Sequence, residues 1–387
     1  MRGIRRGIWL FGCVPVILAG SLIALMFLGQ RLVTSDRLGD VPAFYAAASL
    51  VDAAPAAAYD SALLNPRIAA HLGEPLDGKM FWHYPPTGFF VVEPLGWVSF
   101  THARWVWTGL NLGVFAAGLF VLGGRDARAL LVLAAPSVVG VLLMGQNGLL
   151  NAGLLALALA FTERSPGIAG GWLAVLSYKP HAAVPLLAAW TLQPRARALG
   201  AYLLVLAALV ALSFWAYGVE VWGVFARTLL DAVLDETGLP ARLSDRNVSL
   251  FVMLRDLFAS SQVAAAGVAA VACPVLILLG RTRGLSPTDP YVVLMVVTAL
   301  PLLSPKAMDY DMIALLLPLV PLGRRLITQG LAYSDMALVL FAWIAVPMLR
   351  FSDQVVAFQA WPLVWLALFV YAAYRSGALG APGRSTA

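Results

Sequence analysis

The sequence predicts an all-α polytopic membrane protein, a bundle of about twelve transmembrane helices. Three observations predict it. The 387-residue chain is 61% hydrophobic and only 12% charged, about half the charge density of a soluble domain. Apolar runs recur from end to end, separated by short polar joints. Lysine and arginine sort onto alternate joints, as they do on the cytoplasmic loops of membrane proteins.

The first element is "GIWLFGCVPVILAGSLIALMFL" (7–28), 22 residues without a charge. Arg2, Arg5 and Arg6 precede it, as in a secretory signal. The apolar run is too long for a signal and many more follow, so a first span is placed at 8–29 after a cytoplasmic N-terminus of residues 1–7. Residues 30–103 then form a first extracytoplasmic loop carrying short juxtamembrane helices. Its apolar stretch 86–100 is interrupted by Glu93-Pro94 and is expected to lie along, or dip into, the outer surface. Further spans follow at 104–122, 129–144, 148–161, 167–178, 181–192 and 198–217. Those at 167–178 and 181–192 are short, so they are either re-entrant or extended through the joint between them. A second large extracytoplasmic loop occupies 218–261. The spans 262–280, 290–303, 311–322, 331–349 and 356–374 lead to a cytoplasmic tail at 375–387. The whole chain is one integral membrane domain.

With both termini inside, the inner joints hold fourteen basic residues against four acidic ones. The outer side keeps twelve basic and sixteen acidic residues. A miscounted span would scramble this sorting, so it supports count and direction together. The expected location is the cytoplasmic (inner or plasma) membrane, with polar chemistry at the extracytoplasmic face.

Cys13 and Cys273 lie inside apolar runs and read as small core residues. Four scattered histidines lack zinc spacing. Neither a Walker loop nor G-x-G-x-x-G occurs, so no cofactor and no metal site is expected. The net charge of +6 follows from cytoplasmic arginines and needs no nucleic-acid partner. Membrane lipids are the expected surroundings.

The outer joints carry the candidate residues. Asp40, just past the first span, is either a helix cap or a general base at the lipid–water boundary. Tyr45 lies on the helix expected after it. Asp36 competes with Asp40 but neighbours Arg37. In "WHYPP" the prolines stop helix formation and turn the loop back toward the membrane, which fixes His83 and Tyr84 at the mouth of a cavity. In "LSYKPH" a lysine in apolar surroundings needs a partner or a purpose. Lys179 either snorkels to the interface or, with His181, meets an anionic headgroup such as a phosphate. Gln146 and Asn147 of "MGQN" either bond helices together or read sugar hydroxyls. Lys306 of "LSPKAMDYD" is either a second phosphate contact or the partner of an aspartate. The charges of loop 218–261, Arg227, Asp231, Arg242 and Arg246 among them, are read mainly as a solvated face over the cavity.

In order, these pieces form a recognisable set. D-x-x-x-F-Y-x-A-A runs from Asp40 to Ala48 and Y-P-P covers 84–86. P-x(8)-G-Q-N covers 136–147, K-P-H covers 179–181, and S-P-x-x-x-x-Y-D covers 304–311. Over about residues 8 to 350 the chain resembles glycosyltransferase family 87, the polyprenol-phosphate-mannose-dependent type. The resemblance implies a GT-C fold and inverting transfer at the outer face. The donor it implies is a hexose, mannose first, on a polyprenyl phosphate; the acceptor is a glycan or glycolipid. By the same resemblance Asp40 stands at the catalytic base, with Tyr45, His83, Tyr84, Gln146, Asn147, Lys179, His181 and Lys306 around the substrates. Two rivals are a polytopic transporter, which would string ionisable residues through the bilayer, and a polymerase or ligase of lipid-linked glycans.

Overall fold

The computed structural model describes residues 39–73, 75–76, 80–123, 132–133, 135–234, 246–329, 332–352 and 360–380. The span expected at 8–29, Asp36, Lys79 and Arg242 lie outside the described residues. Among those described, the chain is helical throughout, with sixteen α-helices. They run α1 Val41–Val51, α2 Ser61–Leu72, α3 Phe89–Gly96, α4 Phe100–Gly123, α5 Pro136–Leu143 and α6 Gly148–Phe161. Next come α7 Pro166–Leu176, α8 Pro180–Leu192, α9 Ala196–Tyr217, α10 Val219–Leu234, α11 Leu250–Phe258 and α12 Ser261–Arg281. The last four are α13 Pro290–Leu303, α14 Leu319–Gln329, α15 Tyr333–Ser352 and α16 Trp361–Ser376. Three 3-10 turns, Pro55–Tyr59, Pro86–Gly88 and Asp309–Leu316, punctuate them.

Helices α4, α9 and α12 are long and apolar enough to cross a membrane. Helices α6 and α13 are apolar all round, and thirteen of the fourteen residues of each are buried, so they form the middle of the bundle. Helices α9 and α12 sit at the rim. They turn apolar side chains outward, including Leu203, Leu204 and Trp215, the last 83% exposed, as suits a lipid-facing surface. Helix α4 lies close against α6. A methyl at Gly118 would fall 2.6 Å from the Gly153 carbonyl, and one at Gly153 would fall 2.5 Å from the Val114 carbonyl. Only glycine allows that approach.

Polar joints separate by end. Arg164 bonds the Val121 carbonyl, Arg195 pairs with Glu163, and Gln193 bonds Thr282. Arg325 pairs with Asp289 and Arg375 with Asp335. These joints lie at the arginine-bearing ends of α4, α6, α8, α12, α13 and α16. The joints at 144–147, 177–179 and 304–311 lie at the opposite end of α6, α7, α8 and α13, about 20 Å away at 1.5 Å per residue.

Two expectations need correction. The span expected at 311–322 is not one helix. A 3-10 turn ends at Leu316 and α14 begins at Leu319. Pro318 has no N–H for an i−4 bond and its ring opposes a continuous helix. Loop 218–261 is largely helical, as α10 and α11. Val221 of α10 is buried, Trp222 donates to Ser213 at 3.0 Å, and Phe225 meets Tyr59. The charges of that segment hid an apolar stripe at helical spacing.

Candidate active site

The site is assembled where four chain segments meet. The first is the turn into α1. Pro42 suits the first helical turn, where a missing N–H does no harm. Asp40 stands at the N-cap position, but its side chain makes no capping bond. Its backbone N–H instead donates to the Met144 carbonyl at 2.9 Å, and its Oδ2 accepts from Nε2 of Gln146. The chain reaches Met144 only through Gly39. That residue has φ of 49°, and a Cβ on it would fall 1.8 Å from the Met144 oxygen. Glycine is therefore required beside Asp40.

The second segment is the turn Met144–Asn147. The indole of Trp107 donates to the Gly145 carbonyl at 2.9 Å and fixes it. Asn147 Nδ2 donates to the Tyr84 hydroxyl at 2.8 Å, and its Oδ1 accepts from Asn151 at 3.3 Å. Asn151 lies one helical turn along α6, on the same face. It continues the chain of bonds, donating to Asp311 at 3.4 Å and accepting from Tyr178 at 2.5 Å.

The third segment is the joint between α7 and α8. Pro180 opens α8 and leaves Lys179 at its N-cap. Lys179 and Asp311 are almost wholly buried, and Nζ lies 2.5 Å from Oδ1 of Asp311. The Tyr310 ring lies 4.7 Å from the ammonium. Asp311 Oδ2 accepts from the Met308 N–H at 3.1 Å, which leaves this carboxylate well satisfied. His181, directly after Pro180, has Nε2 buried with no partner among the described residues.

The fourth is the pairing of Arg246–Val248 with Ala307–Asp309. Backbone bonds Asp309 to Arg246 (2.9 Å) and Val248 to Ala307 (2.8 Å) clip the second loop onto the 3-10 turn. Arg246 then lies between Asp309, at 3.4 Å, and the Met144 sulfur, at 3.8 Å, with its guanidinium over the Tyr310 ring. The expectation of a solvated face fails for this residue, whose side chain is only 18% exposed.

At the rim, Lys306 Nζ lies 3.4 Å from Nδ1 of His83. Lys306 is open to solvent, yet protein surrounds it on most sides. Desolvation, and then the charge of Lys179, pull its pKa down to about 8, with Asp311 acting in the opposite direction. Burial and the Lys306 charge hold His83 down at about 3, so its imidazole is neutral at physiological pH. Burial pushes the Tyr84 phenol up, and it stays protonated. Tyr84 is fixed through its carbonyl, which accepts from Tyr59 at 2.8 Å, and by stacking on Tyr178.

Of the nominated residues, Tyr84, Asn147 and Lys179 thus belong to one hydrogen-bonded chain, the Asp40–Gln146 pair adjoins it through the shared turn 144–147, and His83, Lys306 and His181 lie beside it. Tyr45 does not join it. Its hydroxyl donates to the Val98 carbonyl and its ring packs on His71 and Phe100. Residues not nominated complete the assembly: Asn151, Tyr178, Arg246, Tyr310 and Asp311. Among the described residues no three His, Cys, Asp or Glu side chains group as metal ligands. What remains is a carboxylate held by its neighbours, three cations on or against the 304–311 segment, and amides and phenols that can bond hydroxyls. Such a set can bind an anionic, hydroxyl-rich ligand and take a proton from it.

Neither the curated proteins nor the solved structures contain a match to the chain. A family model does match, from Trp82 to Pro305, so Asp40 and Asp311 join the matched region through geometry alone. That match to glycosyltransferase family 87 covers residues 82–305, more than half of a chain in which three described helices are long and apolar enough to cross a membrane, and the protein belongs to this family of glycosyltransferases.

Proposed function

We propose that the protein moves a hexose, mannose first among candidates, from a polyprenyl-phosphate donor to an extracytoplasmic glycan or glycolipid. The transfer inverts the anomeric centre, and Asp40 is the general base. The architecture proposed is a GT-C-like bundle in the cytoplasmic membrane, with the site on the outer face. The gathering of Asp40, Lys179, Arg246 and Lys306 on joints at one end of the bundle, with Arg246 in electrostatic reach of Asp40, carries this reading. A lipid-linked donor cannot leave the bilayer, so its phosphate must sit where apolar helices end. The arginine-rich joints lie at the other end, which supports an outward-facing site.

In the reaction the acceptor hydroxyl attacks the anomeric carbon as the bond to the phosphate oxygen breaks. Its proton passes to Asp40, and the polyprenyl phosphate leaves with the electron pair. Charge grows on that phosphate, and fixed cations stabilise it more in the transition state than before it. Lys179 already has Asp311 as its partner. Lys306, facing neutral His83, is the cation best disposed to meet the phosphate.

Lys306 is charged below about pH 8 and neutral above it. The KM for the donor should therefore rise as pH climbs through that value. Lys306→Arg should flatten the rise, and Lys306→Met should raise KM roughly tenfold at neutral pH. A donor KM that is level across this range in the wild type contradicts the assignment.

Washed membranes containing the full chain test the function itself. They are supplied with polyprenyl phosphates carrying radiolabelled mannose, with glucose and galactose donors in parallel. Label should enter a product only when the protein is present. A protein that carries the donor across the membrane without forming product is a transporter, and the reading is then wrong.

A further inference from the structure

Gln146 makes one bond that the mechanism above does not use, and one of its polar atoms makes none. Its Nε2 donates to Oδ2 of Asp40. Its Oε1 is buried and has no donor among the described residues, in a residue only 6% exposed. A buried carbonyl oxygen without a donor is costly. The turn cannot easily swing the amide elsewhere. Trp107 holds the Gly145 carbonyl and Asp40 holds the Met144 carbonyl, on the two residues just before Gln146. The unpartnered oxygen therefore stays beside the carboxylate.

We propose that Gln146 is a positioning residue with two partners: Nε2 restrains one carboxylate oxygen of Asp40, and Oε1 accepts a hydrogen bond from a substrate hydroxyl next to the one that reacts. This rests on Asp40 being the base. The carboxylate so restrained receives the proton as the new glycosidic bond forms and the phosphate departs. A sugar acceptor offers neighbouring hydroxyls, so one can be gripped by the amide while the next faces the carboxylate. The same amide then sets both the base and the nucleophile, which is where orientation acts most strongly on rate.

Besides Gln146, several titratable groups lie within electrostatic reach of Asp40. They are Arg246 of the second loop, Tyr84 of the first loop and Tyr310 of the 3-10 turn. None of them is altered in the following variants. Gln146→Glu keeps the shape and the acceptor oxygens but sets a second carboxylate against Asp40. Two carboxylates in one site titrate as a pair, so the ascending limb of the pH–rate profile should move up by about one unit or more. An unmoved limb at wild-type rate overturns the contact with Asp40.

Gln146→Met removes both contacts and is combined with Asp40→Asn. Loss of a direct grip on the substrate should lower the residual transfer of Asp40→Asn by roughly a further tenfold. No further loss overturns the hydroxyl contact and leaves Gln146 acting through Asp40 alone. The assay uses full-length protein in washed membranes and the labelled donor that supports transfer in the wild type. Thermal unfolding of each extracted variant monitors folding. Should Gln146→Met not fold, the pH profile of the Glu variant decides. An active Asp40→Asn is a different result, which removes the base rather than its positioning residue.

Discussion

Asp40→Asn should lower sugar transfer by roughly 10²-fold or more, because positioned acid–base catalysis is typically worth 10²–10⁴. The amide keeps the size of the carboxylate and an oxygen for Gln146 Nε2, so the turn at Gly39 and Met144 is expected to survive. Donor and acceptor KM should change little, since the loss falls in the transition state. Wild-type activity should rise with pH along a limb set by this carboxylate. Asp36→Asn, beside Arg37, should be much milder. Near-normal transfer by Asp40→Asn with an inactive Asp36→Asn would move the base four residues upstream.

Lys179→Met should cost about 3–5 kcal/mol of stability, the usual effect of removing one partner of a buried ion pair. Both side chains are almost fully buried, at 4% and 2% exposure, and the carboxylate of Asp311 would be left charged in a dry setting. Neutralising both partners, Lys179→Met with Asp311→Asn, should restore most of the loss. Unfolding midpoints of the single and double variants in detergent would display it. Equal midpoints for wild type and Lys179→Met would mean that the pair contributes nothing to the folded state. The stable double variant also isolates any direct role of Lys179 toward the donor, because its KM is then read without the folding defect.

The bundle was most legible where helix limits are chemically marked. Helices α6 and α13 occupy 148–161 and 290–303, the ranges expected from the apolar runs. Asp289 caps the second through Tyr291 N–H, and Pro290 suits its first turn. Legibility failed at Pro318, where an apolar run conceals a change from 3-10 turn to helix, and in 219–258, where charges mask two amphipathic helices. Within the site, Asp40, Gln146, Asn147 and Lys179 stood out as polar residues in apolar surroundings. Their partners did not. Asp311 lies 132 residues from Lys179, and no local pattern joins them. Arg246 looked like one more loop charge until backbone pairing with Asp309 drew it inward. Asn151 had a local signal, one helical turn from Asn147, and Tyr310 and Asp311 stood in the Y-D of the 304–311 motif. Tyr45 lies on the short helix that Asp40 precedes, but its ring packs on His71 and Phe100, apart from the assembly.

The measurement closest to the chemistry is the anomeric configuration of the product. Purified protein in lipid nanodiscs would receive a polyprenyl-phosphate sugar of known anomer, a nucleotide sugar in a parallel reaction, and the membrane-derived acceptor. With Asp40 as the base of a single displacement, label moves from the lipid donor alone and the new linkage has the opposite configuration. Transfer from the nucleotide sugar, or a product that retains the configuration of the donor, would contradict it.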